Sequence, residues 1–183
     1  GHAGYDWVAV DMEHGSISNS SLPDLFRAIE LHGSIPLARI QDKSFKSVKD
    51  VLEAGASGLI IPMVDDREEL DYLIDISKYP PAGKRGVGFS RANQYGINFA
   101  DYLLEAQSPI IVAMIENKKG LENINEITSC KNLDALLIGP YDLSASMDCC
   151  GLFENREFID AIDTIKRSAY LNNLPTGIHI IKP

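Results

Sequence analysis

Six short runs rich in Val, Ile, Leu and Ala, interleaved with longer amphipathic stretches, constrain this chain more than any other feature of its sequence. The runs are Tyr5–Asp11, Ile35–Gln41, Gly58–Val64, Pro109–Glu116, Leu133–Gly139 and Thr176–Ile181. None alternates strictly between apolar and polar residues, the pattern expected of strands covered on both faces. Between them, Leu22–Leu31, Ser44–Ala54, Asp66–Tyr79, Glu122–Ser129 and Asn155–Leu171 space their apolar residues for one helix face. Ser44 and Asp65-Asp66 suit helix caps, and Gly33, Gly55 and Gly96 suit helix ends or turns.

Such alternation gives a parallel α/β sheet, either a barrel or an open doubly wound sheet. The open sheet usually carries a glycine fingerprint after its first strand. Here that strand ends Asp11-Met12-Glu13-His14-Gly15, which cannot cradle a pyrophosphate, and Gly86-Val87-Gly88 follows a loop and lacks a third glycine. The expected fold is a (β/α)8 TIM barrel. A full barrel takes about 250 residues and eight strands. Residues 1–183 are therefore read as one partial barrel domain lacking the first and last βα units.

Composition narrows the partners. Lys and Arg total 17 against 26 Asp and Glu, a net charge of −9. That surface repels phosphate backbones and anionic lipid, so neither nucleic acid nor membrane is expected. Cys130, Cys149 and Cys150 form no disulfide or zinc framework, which points to a reducing compartment. No apolar run approaches the roughly 20 residues of a spanning helix and no secretory leader is visible, so the chain is expected to be cytoplasmic. The leading Gly1-His2 reads as an expression remnant.

In barrels of this kind the chemistry lies at the C-terminal ends of strands. Those positions hold Asp11, Glu13 and His14 after the first run, Arg39 in the second, Glu116 closing the fourth, and Gly139-Pro140-Tyr141-Asp142 after the fifth. Polar groups there are costly unless paired or bound. Glu116 and Asp142 suit a hard divalent ion; alternatively, Glu116 opens a loop and Asp142 caps a short helix. Arg39 fits a substrate carboxylate or enolate oxygen, or an ion pair with Glu13 or Glu116. His14 fits a general base, or a loop histidine bonded to backbone. His179 reads as a satisfied core histidine, or as lining the site if its side chain points inward, and His32 reads as solvated. Arg85 and Arg91, in the long Gly/Pro-rich interval before the fourth strand, suit an anion or a neighbouring subunit.

The stretches D-M-E-H-G at Asp11–Gly15, P-L-A-R at Pro36–Arg39, G-A-S-G-L-I-I-P-M-V at Gly55–Val64, Y-P-P-A-G-K-R-G-V-G at Tyr79–Gly88, I-E-N at Ile115–Asn117 and I-G-P-Y-D-L-S at Ile138–Ser144 occur in one order. Together they resemble the HpcH/HpaI aldolase family, metal-dependent class II pyruvate aldolases acting on 4-hydroxy-2-oxo acids. The resemblance implies metal ligands at Glu116 and Asp142, with Mg²⁺ or Mn²⁺ preferred and Co²⁺ or Zn²⁺ as alternatives. It implies a pyruvate-binding arginine at Arg39, a catalytic histidine at His14 and an accessory aspartate at Asp11. Substrate contacts are implied at Met114, Gly139, Pro140 and Tyr141, and a homo-oligomer is expected.

Three departures stand out. Met114 replaces a common glutamine, Tyr141 a common alanine, and Glu53 the aspartate that often supports the histidine. The G-P-Y-D-L-S subgroup implies substrates like 2-dehydro-3-deoxyglucarate. Two other readings compete: a citryl-CoA-type lyase, and a non-catalytic barrel serving as a binding or scaffold subunit.

Overall fold

Strand β1, Trp7–Asp11, runs parallel to β2, Ile35–Arg39, with Asp11 opposite Arg39 at their C-terminal ends. In the computed structural model, which describes residues 3–97, 99–106 and 108–180, β2 in turn pairs in parallel with β3, Gly58–Ile61. A second parallel set comprises β4, Ile110–Ile115, then β5, Ala135–Ile138, then β6, Thr176–Ile178. The fold divides into two compact units, Gly1–Ile60 with Leu73–Ile110, and Ile61–Tyr72 with Ile111–Pro183.

The helices form where capping and periodicity agree. Helix α1, Leu22–Glu30, starts with a proline in its first turn, where the missing N–H costs nothing. Helix α2, Phe45–Ala54, is capped by the Ser44 hydroxyl accepting from the Ser47 amide, and ends on Gly55 at φ 111°. That left-handed turn is cheap only for glycine. The Asp66 carboxylate accepts from the Glu69 amide at 3.0 Å at the start of α3, Arg67–Ser77. Inside the first unit, Leu22, Phe26, Ala38, Ile40 and Val48 are fully buried.

Three expectations need revision. The interval read as loop before β4 contains a 3₁₀ helix, Arg91–Gly96, and α4, Phe99–Glu105. The single helix expected over Glu122–Ser129 is two, α5 at Lys118–Glu122 and α6 at Ile124–Thr128. They break at Asn123, whose side-chain amide donates to the Asp65 carbonyl instead of facing solvent. His179 is exposed just past β6, with its amide donating to the Ile138 carbonyl, so it is no core residue. The described part of β6 has every residue exposed, and Ile181, the expected strand end, lies outside the described residues.

After β5 comes α7, Pro140–Ser146, and the long α8, Arg156–Leu171, is capped by Asn155, which the sequence pattern places within the helix. Ile111, Ala113, Ile115, Leu136, Ile138 and Ile165 form the second unit's core.

Candidate functional site

In the first unit, β-register brings Asp11 beside Arg39, and the side chains lock together. Arg39 Nε donates to Asp11 Oδ1 at 2.8 Å, and Nη2 donates to Asp11 Oδ2. Nη1 lies 3.1 Å from Glu13 Oε2. The arginine is thus held from two sides by carboxylates, an arrangement with one more negative than positive charge. Of the ion pairs that sequence allows, the one with Glu13 forms, and the stronger fork–fork pair is with Asp11.

Asp11 also organises the turn that follows. Its Oδ1 accepts from the amides of Glu13 at 3.0 Å and His14 at 3.1 Å. Burial alone would raise the Asp11 carboxyl, but the hydrogen bonds from Arg39, His14 and Glu13 hold it below the usual carboxylate range. The His14 side chain is 68% exposed, and its Nε2 lies 3.9 Å from Glu13 Oε2. General base and backbone-bonded loop residue are therefore compatible in His14: its main-chain amide is bonded while its ring is open to a ligand.

Glu53 is elsewhere. It sits on α2, 3.8 Å from Lys49 Nζ, and among the described residues no hydrogen bond or ion pair joins it to His14. The carboxylate beside the histidine is Glu13, two residues after Asp11 in the same turn. Its nearness follows from the tight Asp11 turn, a signal present in the sequence as D-x-E-H.

The second unit carries the other candidates. Glu116 follows β4 directly and is only 2% exposed, a position where a carboxylate is costly unless it is bonded or charge-compensated. Its Oε2 accepts from the Met63 amide at 2.9 Å. Met63 stands at φ 51°, a conformation rare outside glycine and asparagine, which turns its N–H onto the carboxylate. The same loop is fastened further along. The Val64 amide donates to the Met114 carbonyl, and Asn117 Nδ2 to Asp65 Oδ1 at 2.9 Å. A Cβ on Gly120 would meet the Val64 carbonyl oxygen at 2.4 Å.

Gly139, between β5 and α7, completes the cradle. A Cβ there would lie 2.4 Å from Glu116 Oε1 and 2.8 Å from its Cγ, so only glycine lets the carboxylate rest against this backbone. Pro140 is buried and starts α7. Asp142 is exposed in the first turn of that helix, where a negative charge is also favoured by the helix dipole. Tyr141 is 47% exposed and its ring packs edge-on against Phe153 at 5.0 Å. Met114 is buried within β4. Sequence reasoning missed Met63, because its part is played by a backbone amide that any residue type would supply.

Among the described residues, no group of three or more His, Cys, Asp or Glu side chains gathers to hold a metal. Two carboxylates remain compatible with a hard ion that fills its other positions with water or substrate oxygens. Glu116 fits that use: its carboxylate is buried, aimed by an amide, and cleared by a glycine.

Of the two long-loop arginines, Arg91 is spoken for. It pairs with Glu30 and donates through Nη1 to the Ala54 carbonyl at 3.2 Å, tying the 3₁₀ helix to α1 and α2. The cysteines are unpaired, with Cys130 and Cys149 buried and Cys150 exposed. No described helix is long and apolar enough to cross a membrane.

Each unit pairs its strands in parallel with helices between them, an α/β arrangement that puts acidic, arginine and histidine residues at or just after strand C-termini. The chain belongs to the HpcH/HpaI aldolase/citrate lyase family, whose model matches residues 1–178. It is 38% identical over 148 residues to a 2-keto-3-deoxy-L-rhamnonate aldolase of Salmonella gallinarum, a match covering 79% of this chain and 55% of that protein. It is 35% identical over 150 residues to a 4-hydroxy-2-oxovalerate aldolase of Novosphingobium aromaticivorans, covering 81% and 57%. The chain thus spans little over half the length of these relatives. A crystal structure of an HpcH/HpaI aldolase/citrate lyase family protein from Burkholderia cenocepacia superposes with a TM-score of 0.92 at 29% identity, over 97% of this chain and 72% of that one.

Proposed function

We propose that this chain carries the pyruvate-handling residues of a divalent-metal-dependent aldolase that cleaves or forms 4-hydroxy-2-oxo acids. The observation that carries the reading is Glu116, a buried carboxylate aimed by the Met63 amide and accommodated only because residue 139 is glycine. The 2-oxo acids named for both relatives share the feature such a site would grip, a carboxylate beside a keto group.

Glu116 and Asp142 are the residues that would hold the cation, and Mg²⁺ or Mn²⁺ suits their hard oxygens. When bound, it would supply Lewis-acid polarisation of the substrate's keto oxygen. Arg39, prevented from swinging by Asp11 and Glu13, would bind the anionic end of the substrate as a preorientated fork. His14, with its ring open to solvent, would take the proton from the 4-hydroxyl in cleavage and return it in condensation. Glu13 lies on the side of the ring where it would stabilise an imidazolium. Asp11 is a positioning residue, acting through Arg39 and the His14 backbone. Tyr141, braced by Phe153, would bound the space for the aldehyde portion.

A citryl-CoA-type reaction would need a basic surface for the cofactor, and the strongly acidic composition does not favour it. Unpaired cysteines agree with a reducing compartment such as the cytoplasm. We further expect the protein to act as a homo-oligomer.

The test is pyruvate release from 4-hydroxy-2-oxo acids of different chain length. Release should stop with excess EDTA, return with Mg²⁺ or Mn²⁺, and be lost in Glu116→Gln. Undiminished activity in excess chelator would refute the metal-dependent reading.

A further inference from the structure

Arg85 is 2% exposed, yet among the described side chains no carboxylate pairs with it. Its guanidinium carbon lies 4.6 Å from the centroid of the Tyr79 ring, and Nη2 donates to the Tyr102 hydroxyl at 3.2 Å. Its Nε is buried without a hydrogen-bond partner, as is the Tyr79 hydroxyl. Nearby acids are committed: Glu30 to Arg91 and Glu53 to Lys49. Tyr79 does not supply the missing charge either. Burial pushes its phenol up to about 12, so the ring stays neutral. A buried guanidinium held by one neutral hydroxyl and an aromatic face, with no carboxylate partner among the described residues, is a costly arrangement, and groups of that kind are normally paired.

The arginine borders a cavity of about 430 Å³ that also meets Gly55, Ala56, Ser57, Ala106 and Ser108. Gly55–Ser57 precede β3 and Ser108 precedes β4, so the cavity adjoins the N-terminal ends of strands. Asp11 and Arg39 stand at the opposite, C-terminal ends. A water occupies roughly 30 Å³ of liquid volume, so the space is many times larger than one bridging water needs. It admits a group of several heavy atoms.

We propose that the Arg85 cavity is an oxyanion site distinct from the Asp11–Arg39 cluster, taking a phosphate or carboxylate group whose charge balances the buried guanidinium. Arg85 is the cationic side chain on the cavity wall, and a planar guanidinium matches the two-point geometry of such an anion. The group has two sources to distinguish, a free small anion or a carboxylate side chain of a second copy.

Thermal unfolding separates them. Inorganic phosphate is titrated into the full chain against sodium chloride at matched ionic strength, and protein concentration is varied separately in phosphate-free buffer. A free-anion site gives a saturable rise of several degrees specific to phosphate. A second-copy carboxylate gives a midpoint that climbs with protein concentration, and Arg85→Met abolishes it. Because Arg85→Met risks misfolding, Ala106→Glu supplies an internal carboxylate one helical turn beyond Tyr102. That variant should melt higher than Ala106→Gln without phosphate and lose any phosphate response. Equal melting of the two Ala106 variants, with phosphate matching chloride and no concentration dependence, would overturn the proposal and leave a water-filled cavity.

Discussion

At Gly139 one methyl group decides whether Glu116 can lie where it does. A Cβ 2.4 Å from a carboxylate oxygen forces either the backbone or the acid to move. We expect Gly139→Ala to weaken cation affinity and pyruvate release by roughly 10- to 100-fold, the usual scale for disturbing the support of a metal ligand. Calorimetric titration with Mn²⁺, beside circular dichroism to show the fold intact, measures it. Asp11 makes a second residue-scale prediction. Its folded pKa lies below the unfolded value, so the stabilisation is full above the ordinary carboxylate range and drains away as pH falls through the folded value. The melting difference between the wild type and Asp11→Asn should be widest near neutrality and shrink below about pH 4. A difference unchanged to pH 3 would show that Asp11 stabilises through packing alone. Neither effect is legible from residue types. Arg39 and Asp11 both stand out in the sequence, but that they hold each other is a matter of β-register, which adjacent strands supply only once they pair.

Among the elements, α5 shows how local sequence and tertiary need coincide. Asn117 caps it by accepting from the Gly120 amide at 2.8 Å and simultaneously donates to Asp65. Losing both should cost Asn117→Ala about 1–2 kcal/mol, read by urea denaturation. If the loss matches that of an ordinary exposed cap, below about 1 kcal/mol, the Asp65 bond adds nothing. Caps of this type are readable from sequence at Ser44 and Asp66, because a polar residue precedes a periodic apolar stretch. Helices α4 and α7 are not. Helix α4 is short and its apolar residues Phe99, Leu103 and Leu104 sit close together without a long repeat. Helix α7 begins with Pro140 directly after a strand, in a motif that reads first as an active-site loop. The break at Asn123 depends on a carbonyl 58 positions away, beyond the reach of any local pattern.

For the whole molecule, alternation alone is enough to foresee parallel strands, since each apolar run recurs after a helix-length interval. Strand edges are harder, because exposure depends on neighbours. Among the described residues β1 pairs with β2 and β6 with β5, while Tyr5, Trp7, Tyr170, Leu171 and Ile180 are all at least half exposed. Exposed apolar residues of this kind favour association. Light scattering after gel filtration should therefore show a defined assembly larger than 20.1 kDa, and a monodisperse monomer at micromolar concentration would count against it. A last consequence follows from the bond between Met63 and Glu116, which spans 53 residues. Under the proposed role of Glu116, affinity for a cation there would await the meeting of the loop after β3 with the end of β4 and the approach of Gly139. A cation probe added during refolding would thus act as a stopwatch on the second unit, lagging behind helix formation by the time those distant segments take to find one another.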